Sequence, residues 1–332
     1  MAPPLWIAES DVVALLDMPA AIGALEAGLR AEARGVATNM HKTHVAWDHA
    51  TLHAIGAVFP EEGVAGTKTW AHTPGGAMPL VILFDSRSGA LQAIVEAFAL
   101  GQLRTAAASG LATMLLASDA ADDLAIVGTG RQALPQVAAV QAVRPLRRVR
   151  VHGRDPDRRE LCVARVRSEL GLTAEASPDV AEAVRGASII TLATRAREPF
   201  LFSSMVAPGA HINAIGAIVP TGAEVGGDVL ARCSRIAADS PAQARRLSRE
   251  LIEFFGENEA GWAHVSRLAD LVAAGTRRMP ADDVTLFKSL GMGISDLALG
   301  IQIYRGAQRA GLGRPIETPH QAAPRLRADR TS

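Results

Sequence analysis

The stretch DDLAIVGTGRQALPQVAAVQAV, Asp122 to Val143, restricts the fold more than any other part of the chain. DLAIV reads as a short buried strand, Gly128-Thr129-Gly130 follows at once, and the residues after it carry the apolar spacing of a helix. A strand that turns directly into a helix needs glycine at the tight turn and a second glycine where the backbone must approach an anion. It also needs a small third residue where the helix lies against the strand. Gly128, Gly130 and Ala133 supply these in the order G-x-G-x-x-A. Unpaired N–H groups at the helix start face the anion, so Gly128, Thr129, Gly130, Arg131, Gln132 and Ala133 are the candidate dinucleotide-binding residues.

The strand–helix alternation continues beyond this loop. RRVRVHGRD is a second strand and DPDRRELCVARVRSELG a second helix. SPDVAEAVRGA, with Ser177 as cap and Pro178 at the first helical position, leads into the strand SIITLAT, and HINAIGA and SRIAADS are further strands. This order makes an α/β, Rossmann-type doubly wound parallel sheet. A carboxylate at the end of the second strand would hold a ribose, but Gly153 and Arg154 stand there. A guanidinium pairs with a 2′-phosphate, so NADP(H) is favoured over NAD(H); Asp155 is set aside because it begins the next helix.

Before this sheet the pattern differs. SDVVALLDMPAAIGALEAGLRAEARG is helical, with Ser10 or Asp11 capping one short helix, Asp17 a second, and Pro19 inside the second helix's first turn. From Thr43 to about Leu100 the runs are strands, with VILFD and LQAIVEA forming a hairpin across SRSGA. GQLRTAAASGLATMLLAS is an Ala-rich helix that bridges to the parallel sheet. DVTLFKSLGMGISDLALGIQIYRGAQRAG reads as one long helical pattern interrupted at Gly291 and Gly293, and the Pro- and Arg-rich tail, 321–332, is expected to be flexible.

Charge and cysteine content exclude several roles. Lys+Arg and Asp+Glu are equal at 34 each, which leaves no net field to draw nucleic acid or anionic lipid. The two cysteines, Cys162 and Cys233, have no metal-ligand spacing and fit a reducing cytoplasm. MAPPLWIAESD lacks the basic and apolar regions of a signal peptide, and apolar runs such as GASIITLAT fall short of the ~20 residues that span a bilayer. The expected protein is cytoplasmic, without metal, membrane or nucleic-acid partner.

GTKTW, QLRTAAASGLA, IVGTGRQA, SIITLAT, HINAIGA and TLFKSLGMGISDLA together resemble the ornithine cyclodeaminase/μ-crystallin family over nearly the whole chain. The resemblance implies a homodimer. It implies an α+β substrate and dimerisation domain from residues 1–117 completed by 290–320, and an NAD(P)-binding domain from 118–289. It makes Lys68 and Arg104 the residues that hold a substrate α-carboxylate, and two cations amid apolar neighbours suit that task. A further basic residue falls at His44 or Lys42. His72 shares this neighbourhood, and Thr105, Thr191, Ala193, Thr194, Ile215 and Gly216 are placed with the cofactor.

The cyclodeaminase branch carries G-G-D-x-P-G-K after the INA-Gly strand, and here Ile218 stands at the Asp and the following Lys is also absent. Losing a positioned acid or base forfeits roughly 10²–10⁴-fold in rate, and neither His211 nor Glu224 sits where that motif needs one. Reduction of an imine needs less: the carboxylate held, the C=N carbon set against the nicotinamide, and water excluded. An apolar Ile218 suits that work, and Lys68 or a water held by His44 is the candidate proton source. The leading expectation is NAD(P)H-dependent reduction of a 2-imino carboxylate, cyclic like pyrroline- or piperideine-2-carboxylate or acyclic like iminosuccinate or iminopropionate. The alternatives are an ammonia lyase using bound NAD and a non-catalytic NADPH-binding protein. The cationic set His41, Lys42, His44, Lys68, His72 and Arg104 is also suited to a second carboxylate.

Overall fold

The computed structural model of the chain describes residues 3–327. β1 (Leu5–Ile7) leads into α1 (Glu9–Leu15) and α2 (Met18–Ala33). Asp17 caps α2 as expected, accepting from the Ala20 N–H at 2.8 Å. α1 departs from the expectation, because it begins at Glu9 and takes Ser10 and Asp11 inside its first turn. Long-range contacts fix that start: the Glu9 N–H donates to Glu96 at 2.8 Å, and the Glu9 carboxylate accepts from the N–H groups of Phe98 and Ala99.

β2 (Thr38–Asn39), β3 (Thr43–Trp47), β4 (Ala50–Phe59), β5 (Val64–Thr73), β6 (Gly76–Ala77), β7 (Leu80–Asp85) and β8 (Leu91–Glu96) form an antiparallel sheet in which β1 joins β8 in parallel. The expected hairpin is β7–β8. One face of this sheet, carrying Ile55, Phe59, Val81, Leu83 and Val95, is buried under helices. The opposite face leaves Val45, Trp47, Leu52 and Phe84 exposed.

The bridging helix α3 (Phe98–Leu116) is buried along most of its length. The parallel sheet follows: β9 (Asp123–Val127), α4 (Ala133–Gln141), β10 (Arg148–His152), α5 (Pro156–Leu170), β11 (Ala174–Ala176), α6 (Val180–Val184), β12 (Ile189–Leu192), β13 (His211–Ala214). It is completed by α7 (Gly227–Arg232), β14 (Cys233–Ala238), α8 (Pro241–Leu247), α9 (Arg249–Phe255), α10 (Glu259–Trp262), β15 (Val265–Arg267), α11 (Leu268–Ala274) and β16 (Val284–Lys288). Its order is β11-β10-β9-β12-β13-β16-β14-β15, all pairs parallel, so the order reverses between β9 and β12. That reversal opens the crevice at which doubly wound sheets bind ligands. α12 (Gly293–Ala310) then returns to the first sheet, packing on α2, α3, β4 and β5, and β17 (Arg314–Pro315) pairs with β1.

Two expectations are corrected here. Asp179, not Ser177, caps α6, its carboxylate accepting from the Glu182 N–H at 2.7 Å. Ser177 is held at the sheet instead, its N–H donating to Val151 at 2.9 Å. VTLFK, read as helix, is the strand β16, buried at every residue. A strand covered on both faces loses its alternation, so so short an apolar run carries no period to separate strand from helix. The helix starts only after Gly291, whose φ of 88° makes the turn. The described part of the tail, 321–327, is exposed and without regular structure; 328–332 lie outside the described residues.

Candidate active site

Lys68 lies on β5 opposite Ile55 and Val81, so its neighbours across both strands are apolar and buried. Its ammonium turns toward the first turn of α12 and donates to Asp296 Oδ1 at 2.5 Å. Arg104, on α3, brings Nε to 3.2 Å from the same oxygen. Asp296 is fully buried, and its second oxygen has no hydrogen-bond partner. Burial pushes the Lys68 ammonium down to about 8, aided by the positive charges of Arg104 and Lys42 and opposed by Asp296. A side chain on Gly291 would place its Cβ 3.1 Å from Arg104 Nη1. The same turn is held by Asp239, which accepts from the Ser289 hydroxyl and the N–H groups of Leu290 and Gly291.

Lys42 is half-buried, and burial together with the charge of Arg104 holds its ammonium below the usual lysine range. Lys42 thus lies within electrostatic reach of Arg104. His44 is exposed on β3, its ring stacked on His53 at 5.6 Å; His53 stacks on Trp70 at 4.6 Å, and Lys68 Nζ sits 5.0 Å from the Trp70 centroid. These side chains share one face because His44, His53 and Trp70 are directly opposed in register. Burial, then Lys42, His44 and His72, lowers His53 to about 4. His41 and His72 are exposed.

The glycine loop has the expected shape. Gly128 has a φ of 115°, and a Cβ there would stand 2.4 Å from the Ala193 carbonyl oxygen. Gly130 is exposed with open space where its Cβ would be, so backbone there is free to meet a ligand. A Cβ on Gly153 would meet Thr129 at 2.6 Å, which ties the loop to the end of β10. Gln132 stands at the cap of α4, and Arg131 turns aside, 5.3 Å over the Phe98 ring. Arg154 is exposed and has no hydrogen bond or ion pair among the described residues. Asp155 is occupied as the cap of α5, accepting from Asp157 and Arg158 N–H groups at 3.0 and 3.2 Å.

The remaining candidates separate. Ala193, Thr194, Ile215 and Gly216 gather at the ends of β12 and β13, whereas Thr191 is buried inside β12, 3.5 Å from the Asn213 amide. Thr105 spends its hydroxyl proton on the Gly101 carbonyl at 2.9 Å. Ile218 is 39% exposed on the loop after β13. His211 is buried and pushed down to about 3, sharing hydrogen bonds with Thr285 and Asn213, so it is a neutral core residue. No group of three His, Cys, Asp or Glu among the described residues is arranged to hold a metal. No single helix among them is long and apolar enough to cross a membrane.

Residues 5–311 match the ornithine cyclodeaminase/mu-crystallin family. The chain belongs to that family. It is 31% identical to a Delta(1)-pyrroline-2-carboxylate reductase of Bacillus cereus over 242 residues, 72% of this chain and 74% of that protein. It is 33% identical to the ketimine reductase mu-crystallin of Mus musculus over 224 residues, 68% of each. Among solved structures, the Thermococcus litoralis Delta(1)-pyrroline-2-carboxylate reductase in complex with NADH and L-proline superposes with a TM-score of 0.88 at 25% identity, covering 94% of this chain and 100% of that one. An archaeal alanine dehydrogenase dimer with bound NAD gives 0.88 at 27%, covering 95% and 99%. The iminosuccinate reductase of Paracoccus denitrificans with NAD+ gives the same score, identity and coverage.

Within this family member, three residues of the cluster escape sequence reasoning: Asp296, His53 and Trp70. Asp296 had one usable signal, because a carboxylate inside the apolar helix GISDLALG must find a cation when buried.

Proposed function

We propose that the protein is an NAD(P)H-dependent reductase that converts a 2-imino carboxylate to an L-amino acid. The observation that carries this reading is the buried Lys68–Asp296–Arg104 group, which holds more cation than anion. A substrate carboxylate entering it offers Arg104 a partner with two oxygens, while Lys68, still bonded to Asp296, keeps a proton at hand for the imine nitrogen. Trp70 shields Lys68 from solvent on one side. The open Gly130 backbone and the Gly128 turn fit a dinucleotide phosphate, with Thr129, Arg131, Gln132, Ala133, Gly153, Ala193, Thr194, Ile215 and Gly216 bordering it. A bound nicotinamide would supply the hydride.

The relatives named above support imine reduction, and Ile218 leaves the loop after β13 without the acid an ammonia lyase needs. Arg154 is free and Asp155 is occupied as a cap, which supports NADP(H) over NAD(H). Lys42 and the histidine row beside Lys68 support an acyclic dicarboxylic imine as the second reading of the substrate. Residues 1–117 with 290–320 form the substrate and dimerisation part in this reading, 118–289 the nucleotide part, and the exposed apolar face of β3, β4 and β7 is the surface for a second copy.

An oxidation panel tests the function: NADPH and NADH with pyrroline- and piperideine-2-carboxylate, and with pyruvate or oxaloacetate plus ammonia. Turnover with a 2-imino carboxylate and a preference for NADPH are expected. Ammonia release from ornithine without net NADH would sink the reading.

A further inference from the structure

A second buried charged group lies beneath the ends of β12 and β13. Glu224 is fully buried, and its two oxygens are shared between two loops. Oε1 accepts from the Thr194 N–H at 2.8 Å and the Thr194 hydroxyl at 2.7 Å, in the loop after β12. Oε2 accepts from the N–H groups of Gly216 at 2.9 Å and Ala217 at 3.1 Å, in the loop after β13. The loops touch at this point, since a Cβ on Gly216 would lie 2.2 Å from the Thr194 carbonyl oxygen.

Glu224 is itself anchored from below. Glu250 Oε1 accepts from the N–H groups of Glu224 and Val225 at 2.7 and 3.2 Å, and Glu250 Oε2 pairs with Lys288 Nζ at 2.5 Å. All three charged side chains are 5% exposed or less. Only an acceptor-only group meets four donors on two oxygens, which an ionised carboxylate does and an amide does not.

We propose that Glu224 is a positioning residue that sets the two loops bordering the nicotinamide end of the cleft. The inference rests on the dinucleotide reading of the glycine loop. Its mechanism follows from peptide geometry: N–H and C=O of a trans peptide point in opposite directions. Peptides that aim their N–H at Glu224 therefore turn the carbonyls of Ala193, Ile215 and Gly216 away from it. The Ala193 carbonyl faces Gly128 of the glycine loop accordingly. Those of Ile215 and Gly216 are left as acceptors for the amide of a bound nicotinamide.

The test compares two ligands on one variant. Glu224→Gln keeps size but sets an amide donor against one pair of loop donors. The dissociation constants of NADPH and of 2′-phospho-ADP-ribose, which lacks only the nicotinamide, are measured by titration with melting temperature followed alongside. The account expects NADPH to weaken roughly tenfold or more and 2′-phospho-ADP-ribose to stay within about twofold. Thr194→Val, which removes one hydroxyl donor and is milder for folding, is expected to shift NADPH in the same direction by less. Equal weakening of both ligands would show a purely structural role and overturn the proposal, as would no change in either. Wild-type protein that binds neither ligand would instead overturn the dinucleotide reading, and the proposal with it.

Discussion

Asp296 and Glu224 are both fully buried carboxylates, and their surroundings are opposite. Asp296 keeps one oxygen without a hydrogen bond, while Lys68 and Arg104 contact its other oxygen and Lys42 adds a third positive charge within electrostatic reach. Even with Asp239 counted against Arg104, positive charge is left over. Glu224 has four donors on its two oxygens, and with Glu250 it outnumbers the one ammonium of Lys288. Burial raises the Glu224 carboxyl more than Lys288 and the donors of Thr194 lower it. A buried cluster with more cation than its carboxylates neutralise favours an anionic ligand, and a carboxylate whose oxygens are filled by backbone and hydroxyl donors holds the fold in place. The contrast marks the first group as the place where a carboxylate arrives and the second as the frame around it.

Breaking the cationic side should have the largest effect. Lys68→Met removes both a carboxylate partner and the proton source, and kcat/KM should fall by about 10³; some loss of melting temperature is expected from the broken pair, while Arg104 at 3.2 Å remains to pair Asp296. Activity near wild type in steady-state assays would show that the surplus charge is not used.

The next effect sharpens the comparison through pH. Lys68 titrates at about 8 in the folded chain against 10.5 ordinarily, so its proton is present below about 8 and lost above it. Reductive kcat/KM should therefore fall as pH rises through about 8. Stability runs the other way: between about 8 and 10.5 the unfolded chain binds more protons than the folded one, so this group makes the fold more stable as pH rises across that window. Asp296→Asn removes the charge that supports the ammonium and should move the activity fall-off to lower pH. A pH–rate profile unchanged in that variant would break the link between Asp296 and Lys68.

How far the sequence carries this account depends on distance along the chain. The glycine loop was legible because turn, cradle and helix contact fall within a few neighbouring residues; Gly128 has a steric reason at its own position, and Gly130 leaves its space open. The Lys68–Asp296 pair spans 228 residues, and no local pattern announces it. Lys42 and His44 could not be separated in sequence, because β3 is an exposed edge whose side chains alternate without an apolar face. β16 was hidden for the opposite reason, being covered on both faces. Glu224 was set aside because no motif required it there. Its role depends on two loops that only the parallel sheet brings together.

A smaller effect tests the glycine loop alone. Arg154 is exposed and unpaired among the described residues, so Arg154→Ala should weaken NADPH by about tenfold, one charge-assisted contact, and leave NADH unchanged. Competition binding checks this, and equal loss for both cofactors would place Arg154 away from the 2′-phosphate.

The central claim is that surplus cation at Lys68 and Arg104 holds a substrate carboxylate during reduction. It is met most directly by comparing NADPH oxidation with pyrroline-2-carboxylate and with its neutral carboxamide on the wild-type protein. The account predicts kcat/KM at least roughly 10²-fold higher for the carboxylate, with that preference collapsing in Arg104→Ala, since hydrogen bonds to charged groups are the strong ones. Equal turnover of the two substrates, or a preference that survives in Arg104→Ala, would contradict it.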